Sequence, residues 1–240
     1  MVFTDPPYNV NYSGKGKNTS ETILNDNMTQ EEFQIFLDDC FIRLNENCKN
    51  GSVWYVCHSQ KNASIFEKSI KNSGYEIKEQ IIWVKPSATL GWQDYRRQHE
   101  PLFYCGKENT TFYGDRTNTT VWQQKPNKKS LIQWLQNQIS KDYDGTTTIW
   151  KIGRTDVNEY THTTEKPVAL SARAIKNSSK QGDIVLDVFA GSGSTMSACL
   201  QGDRVPYLME LDPHYCDVIR KRYAKFINSE DWESVTPKIL

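Results

Sequence analysis

The sequence predicts an α/β fold, a mostly parallel sheet with helices on both faces and an inserted polar subdomain. Three observations predict it. Short β-rich apolar runs alternate with segments of helical period. A strand near the end of the chain runs into a glycine turn that opens a helix. From about residue 106 to 161 the chain turns polar, rich in Thr, Asn, Gln and Lys with Trp122, Trp134 and Trp150 isolated, and such a stretch cannot build a large core alone. At 240 residues the chain suffices for one sizeable core.

Each element has its own signal. Val2 to Thr4 reads as a strand end, followed by Asp5-Pro6-Pro7-Tyr8 and a Gly, Lys, Asn and Ser-rich loop to about Thr22. Thr29 with Glu32 forms a capping box, and Phe33, Phe36, Leu37, Cys40, Phe41 and Leu44 share one face of the helix it opens. Ser52 to Cys57 is a β-rich run, Ser59 caps a helix carrying Ala63, Phe66 and Ile70, and Ile77 to Val84 returns as a strand. Within the polar insertion, Ser130 caps a short helix bearing Leu131, Trp134, Leu135 and Ile139, just after the basic run Lys125-Pro126-Asn127-Lys128-Lys129. A second scaffold segment follows: a helix from about Glu165 with Pro167 in its first turn, a strand Ile184 to Val188, a helix from about Ser194 and a strand Val205 to Leu211. Asp212-Pro213 caps a last helix with Tyr215, Ile219, Tyr223 and Phe226 along one face, and the tail beyond Asn228 reads as unstructured.

Composition excludes several classes. No stretch approaches the roughly 20 apolar residues of a membrane span, and the N-terminus lacks a secretory pattern, so the cytoplasm is the expected compartment. Six scattered cysteines form no Cys-x-x-Cys pair, and His58, His99, His162 and His214 show no ligand spacing, so neither disulfides nor a metal are expected. The formal net charge is zero, so any contact with a polyanion must rest on local patches.

Two motifs carry chemistry. Asp187-Val188-Phe189-Ala190-Gly191-Ser192-Gly193-Ser194-Thr195 is a strand entering a glycine turn at a helix start, where free N–H groups and close backbone approach favour a ligand. Glycines alone equally describe an ordinary tight turn. About 20 residues on, a second strand ends at Glu210-Leu211, the placement at which a carboxylate grips ribose hydroxyls. The third glycine of the dinucleotide fingerprint and the Lys of a phosphate loop are both absent, which favours a ligand with ribose and no phosphates. Asp5-Pro6-Pro7-Tyr8 is sharper, since average usage yields it by chance in roughly one chain in a thousand of this size. Both turns follow strand carboxyl ends, where open parallel sheets bind ligands.

In these residues the chain resembles the amino-methylating DNA methyltransferases, whose catalytic signature is Asp-Pro-Pro-Tyr and whose cofactor signature, Phe-x-Gly-x-Gly, matches Phe189 to Gly193. With the catalytic motif first and the cofactor motif last, it is similar to the permuted beta class. His162-Thr163-Thr164-Glu165-Lys166-Pro167 resembles the segment that packs on the methionine end of S-adenosylmethionine, and Trp83-Val84-Lys85-Pro86 through His99-Glu100-Pro101-Leu102-Phe103-Tyr104 resembles the stretch before the target-recognition region. The resemblance implies a Rossmann-like S-adenosylmethionine-dependent methyltransferase sheet. Residues 1–105 are then the catalytic half, 106–161 the target-recognition insertion, 162–228 the cofactor-binding half and 229–240 a tail.

It also implies a mechanism. An exocyclic amine is a poor nucleophile, so Asp5 and the Pro6 carbonyl would each accept an N–H, with Pro7 stiffening the turn and Tyr8 stacking on a base flipped out of the duplex. Cytosine C5 chemistry needs a cysteine nucleophile, typically in a Pro-Cys pair, and the sequence contains none. Asp as the first motif residue favours adenine N6, with cytosine N4 as the alternative and a truncated, non-catalytic cofactor- or DNA-binding module as another. An RNA or protein methyltransferase is a further reading. Lys166, Pro167, Asp187, Phe189 to Thr195, Glu210 and Leu211 are the expected cofactor residues. Lys15, Lys17, Arg96, Arg97, Lys125, Lys128 and Lys129 are the candidates for DNA phosphates, although any one exposed lysine is more often simply solvated. The resemblance leads one to expect a further strand beside the Glu210 strand, completed by an upstream domain, a partner or a second copy in a homodimer. Restriction-modification, a phage genome or epigenetic marking would use such an activity.

Overall fold

The computed structural model describes residues 1–11, 24–85, 97–114, 121–123 and 166–236. Among them, a seven-stranded sheet runs in the order β5-β3-β4-β2-β1-β6-β7. In chain order the elements are β1 (Val2–Thr4), α1 (Gln30–Asn47), β2 (Val53–Cys57), a 3₁₀ turn (Gln60–Asn62), α2 (Ala63–Asn72), β3 (Glu76–Val84), β4 (His99–Gly106) and β5 (Val121–Gln123). Then come α3 (Val168–Ser178), β6 (Ile184–Asp187), α4 (Ser194–Gln201), β7 (Val205–Leu208), α5 (Pro213–Phe226) and α6 (Trp232–Val235). Only β4 runs against the others. The expected mostly parallel α/β sheet is therefore present, and β5, from within residues 106–161, joins it beside β3.

The centre of the sheet is buried on both faces, which is why β1 and β2 read as continuous apolar runs. Val2, Trp54 and Val56 face Phe33, Leu37, Phe41 and Leu44 of α1 with Phe66 and Ile70 of α2. Phe3, Val53, Tyr55 and Cys57 face the other way, with Leu170 and Ala174 of α3. A smaller cluster of Ile175, Val185, Ala198 and Cys199 fastens α3 and α4 to β6. The α1 capping box forms as read from the sequence: Glu32 N–H donates to Thr29 Oγ1 at 3.2 Å, and Thr29 N–H donates to Glu32 Oε2 at 2.9 Å.

One central strand went unread in the sequence, and two expectations need correction. β4 carries no clean strand signal because Pro101 lies inside it, yet it is central, pairing β2 on one side and β3 on the other. The β7 strand stops at Leu208 rather than Leu211. Residues 229–236 are not a featureless tail: Asp231 caps α6, and Trp232 lies under Arg220 and Lys221 of α5 at 4.5 and 4.9 Å. On the far edge of the sheet, Tyr207 and Met209 are 55% and 61% exposed. No described helix is long and apolar enough to cross a membrane.

Candidate active site

Chain direction reverses its lateral progress between β1 and β6. The route β1-α1-β2 steps to one side and β6-α4-β7 to the other, so the crevice beyond the carboxyl ends of β1 and β6 is a topological switch point. β1 and β6 are parallel neighbours with Val2 opposite Leu186. The Asp5 turn and the Gly191 turn therefore leave the sheet side by side at the same edge.

The first turn is pinned by side chains the sequence did not single out. Asn62 Nδ2, at the start of α2, donates to the Tyr8 and Asn9 carbonyls at 2.7 and 3.2 Å. Asn9, in the left-handed region at φ 52°, exchanges two hydrogen bonds with the Met28 backbone, and Val10 N–H donates to Asp26 Oδ1. Tyr8 lies edge-on to Phe66, its hydroxyl buried. Burial, then the neighbouring Asp5 and Glu100 charges, push that phenol well above its ordinary value.

Asp5 sits in a ladder of alternating charge. Its Oδ2 is 2.6 Å from the Lys166 ammonium, while its Oδ1 is buried. Lys166 also lies 3.3 Å from Glu100 Oε2, and Glu100 Oε1 contacts Lys85. Burial opposes the charge on Glu100, but the Lys166 and Lys85 ammoniums outweigh it and hold the carboxyl down to about 2. Burial likewise opposes the Lys166 charge, and Asp5 and Glu100 together raise it above the ordinary lysine value. Lys85 and Glu100 were visible in the sequence only as parts of a longer resemblance. Their signal is an acid and a base at the ends of adjoining apolar strands, since such charges are rarely buried unless paired.

The second turn is held from inside. Asp187 Oδ1 accepts from Phe189 N–H at 3.1 Å and Oδ2 from Thr195 Oγ1 at 2.7 Å, so this expected cofactor residue is buried in the turn itself. Burial pushes its carboxyl up to about 7, against the pull of those two donors. Gly191 and Gly193 take φ 50° and 83°. A Cβ at Gly191 would meet nothing within 4 Å, so the backbone there is open to a ligand. Ala190 N–H donates to Met209 O at 3.0 Å, tying the turn to the end of β7. Glu210 folds onto the turn, accepting from Gly191 N–H at 2.7 Å and Asp212 N–H at 2.9 Å. Phe189 packs beside Phe36 of α1, Ser192 accepts from Arg222, Gly193 caps the α4 helix that Ser194 and Thr195 open, and Leu211 is exposed. Pro167 is the N-cap of α3.

The family model described as DNA methylase, of the N6/N4 methyltransferase type, matches residues 1–221. The chain belongs to the N6/N4 DNA methylase family. Among curated relatives of this N6/N4 methylase, the DNA adenine methyltransferase YhdJ of Escherichia coli strain K12 is 28% identical over 223 residues, covering 90% of this chain and 72% of the relative. The type II methyltransferase M.HinfI of Haemophilus influenzae is 27% identical, covering 92% and 62% respectively. The methylase thus spans about two thirds of the length of these relatives. Among solved structures, the M1.HpyAVI–SAM complex superposes with a TM-score of 0.63 at 20% identity, covering 92% of this chain and 87% of that one. The PvuII DNA methyltransferase, cytosine-N4-specific, gives 0.65 at 15% identity, covering 92% and 78%. Both share the fold.

Of the candidate DNA contacts, Arg97 is exposed just before β4, at the crevice edge. Lys15, Lys17, Arg96, Lys125, Lys128 and Lys129 lie outside the described residues, as do His162 to Glu165 and the expected helix after Ser130. No group of metal-ligating side chains occurs among the described residues. Cys57 and Cys105 are buried, their thiols pushed up by burial.

Proposed function

We propose that this methylase transfers a methyl group from S-adenosylmethionine to the exocyclic N6 of adenine in DNA, with the permuted, beta-class arrangement of its motifs. The observation that carries the reading is the Asp5 turn beside the open Gly191 turn at the switch point.

The second turn suits the cofactor. Gly191 leaves its backbone uncovered, and each Glu210 oxygen, having accepted one N–H, keeps a lone pair for a ribose hydroxyl. Asp187 acts through the turn it holds. When bound, S-adenosylmethionine supplies an electrophilic methyl. The Asp5 carboxylate and the Pro6 carbonyl accept the two N–H groups of the target amine and draw its lone pair out of the ring, toward the neighbouring turn. Pro6 and Pro7 restrict the backbone carrying both acceptors. Tyr8 gives the flipped base a face to stack on. Arg97 and the lysines and arginine of the two loops would neutralise phosphates, and residues 106–161 would read sequence.

Asp at the first motif position and the adenine-methylating name of the Escherichia coli relative favour adenine. The likeness to a cytosine-N4-specific enzyme favours a second reading, methylation at cytosine N4. Incubation with unmethylated DNA, digestion to nucleosides and mass spectrometry separates them. N6-methyladenine is expected; N4-methylcytosine would select the second reading, and neither product alongside tight cofactor binding would select a non-catalytic module.

A further inference from the structure

We infer that Lys166 is a positioning residue for the Asp5 carboxylate, itself anchored by Glu100 and Lys85, and that it fixes the orientation in which that carboxylate meets the target amine. This rests on the proposed function and adds three residues to it. The resemblance had Lys166 packing on the cofactor. Its geometry points elsewhere: the side chain is only 9% exposed, its ammonium is 2.6 Å from Asp5 Oδ2 and 3.3 Å from Glu100 Oε2, and it lies 5.3 Å from the Tyr8 ring centre.

The four groups come from four parts of the chain: Lys85 after β3, Glu100 in β4, Lys166 before α3 and Asp5 after β1. Their charges alternate and sum to zero, the arrangement under which charges tolerate removal from water. A carboxylate held by neither oxygen turns about its terminal torsion with little resistance. Pinning Oδ2 to an ammonium fixes the carboxylate plane. Lys166 is pinned in turn by Glu100, and Glu100 by Lys85. The ladder thus runs from the β3–β4 hairpin strands to the Asp5 carboxylate.

The test uses the full chain with Lys166→Met, Lys166→Arg, Glu100→Gln and the double variant Lys166→Met/Glu100→Gln. The double variant restores charge balance if the single Met variant fails to fold, and thermal unfolding checks each. Cofactor affinity is read by calorimetry, and kcat and KM for DNA by tritium transfer. The expected result is a loss of about 100-fold in kcat for Lys166→Met and the double variant, as a misplaced reacting group costs, with cofactor affinity nearly unchanged. Lys166→Arg recovers part of the loss, and Glu100→Gln shows the same kcat-selective pattern more weakly. Weakened cofactor binding with kcat retained would overturn the inference. Independently of turnover, the Lys166 ammonium ¹⁵N resonance should shift in Asp5→Asn, and an unmoved resonance would also overturn it. A wild-type chain that methylates no DNA would instead overturn the functional reading, and the resonance would still decide whether Lys166 holds Asp5.

Discussion

At the end of β2 the His58 imidazole is fully buried, stacked on Phe103 at 3.9 Å with Nε2 unpartnered. Burial lowers its pKa to about 4, so the fold requires the neutral ring. In the unfolded chain the ring titrates at 6.5, so its contribution to stability is complete above that pH and is lost as pH falls through 6.5 toward 4. The shift corresponds to about 3 kcal/mol at ~1.4 kcal/mol per unit. Asp187 acts oppositely: its raised pKa makes the folded state lose stability as pH rises from 3.8 toward 7. Replacing His58 by Phe keeps the stack and removes the acid penalty. Urea unfolding between pH 6.5 and 4 should therefore show a smaller loss in His58→Phe than in the wild type, and equal losses would contradict the assignment. Thr195 supplies the hydroxyl that satisfies buried Asp187 Oδ2, so Thr195→Val should cost about 1–3 kcal/mol in chemical denaturation at neutral pH.

Elements with strong local chemistry were legible in the sequence. The α1 helix declares itself through Thr29, Glu32 and the Phe33, Leu37, Phe41 spacing, and α5 through Asp212-Pro213. Thr29→Ala removes the hydroxyl that accepts from Glu32 N–H, leaves the Thr29 N–H to Glu32 half of the capping box in place, and should lower the unfolding free energy by about 1 kcal/mol. The glycine turn was legible as a turn, but why each glycine is needed was not. At Gly193 a Cβ would meet Ile219 Cγ1 of α5 at 3.0 Å while the backbone sits at φ 83°, a tertiary contact that no local pattern encodes. Gly193→Ala should therefore destabilise by about 1–3 kcal/mol, and Gly191→Ala, with open space beyond its Cβ position, should cost less. A comparison of their melting temperatures checks the order. β4 was illegible for a related reason: Pro101 argues locally against a central strand, and only pairing to β2 and β3 overrides it.

Across the whole molecule, the sheet order brings together residues far apart in sequence. Asp5 and Lys166 are 161 residues apart and 2.6 Å from each other; Gly191 and Glu210 close the neighbouring turn. Sequence motifs marked the two turns, because each is a contiguous run with its own chemistry. The charge ladder behind Asp5 was not marked, because its members are single residues whose meaning depends on which strands adjoin. The same topology underlies the proposal that one turn presents an amine while its neighbour presents a methyl. Asp5→Ala tests it most directly, with cofactor binding by calorimetry and tritium transfer to unmethylated DNA measured on one preparation. Transfer should disappear while the cofactor still binds. Transfer at the wild-type rate would contradict the account.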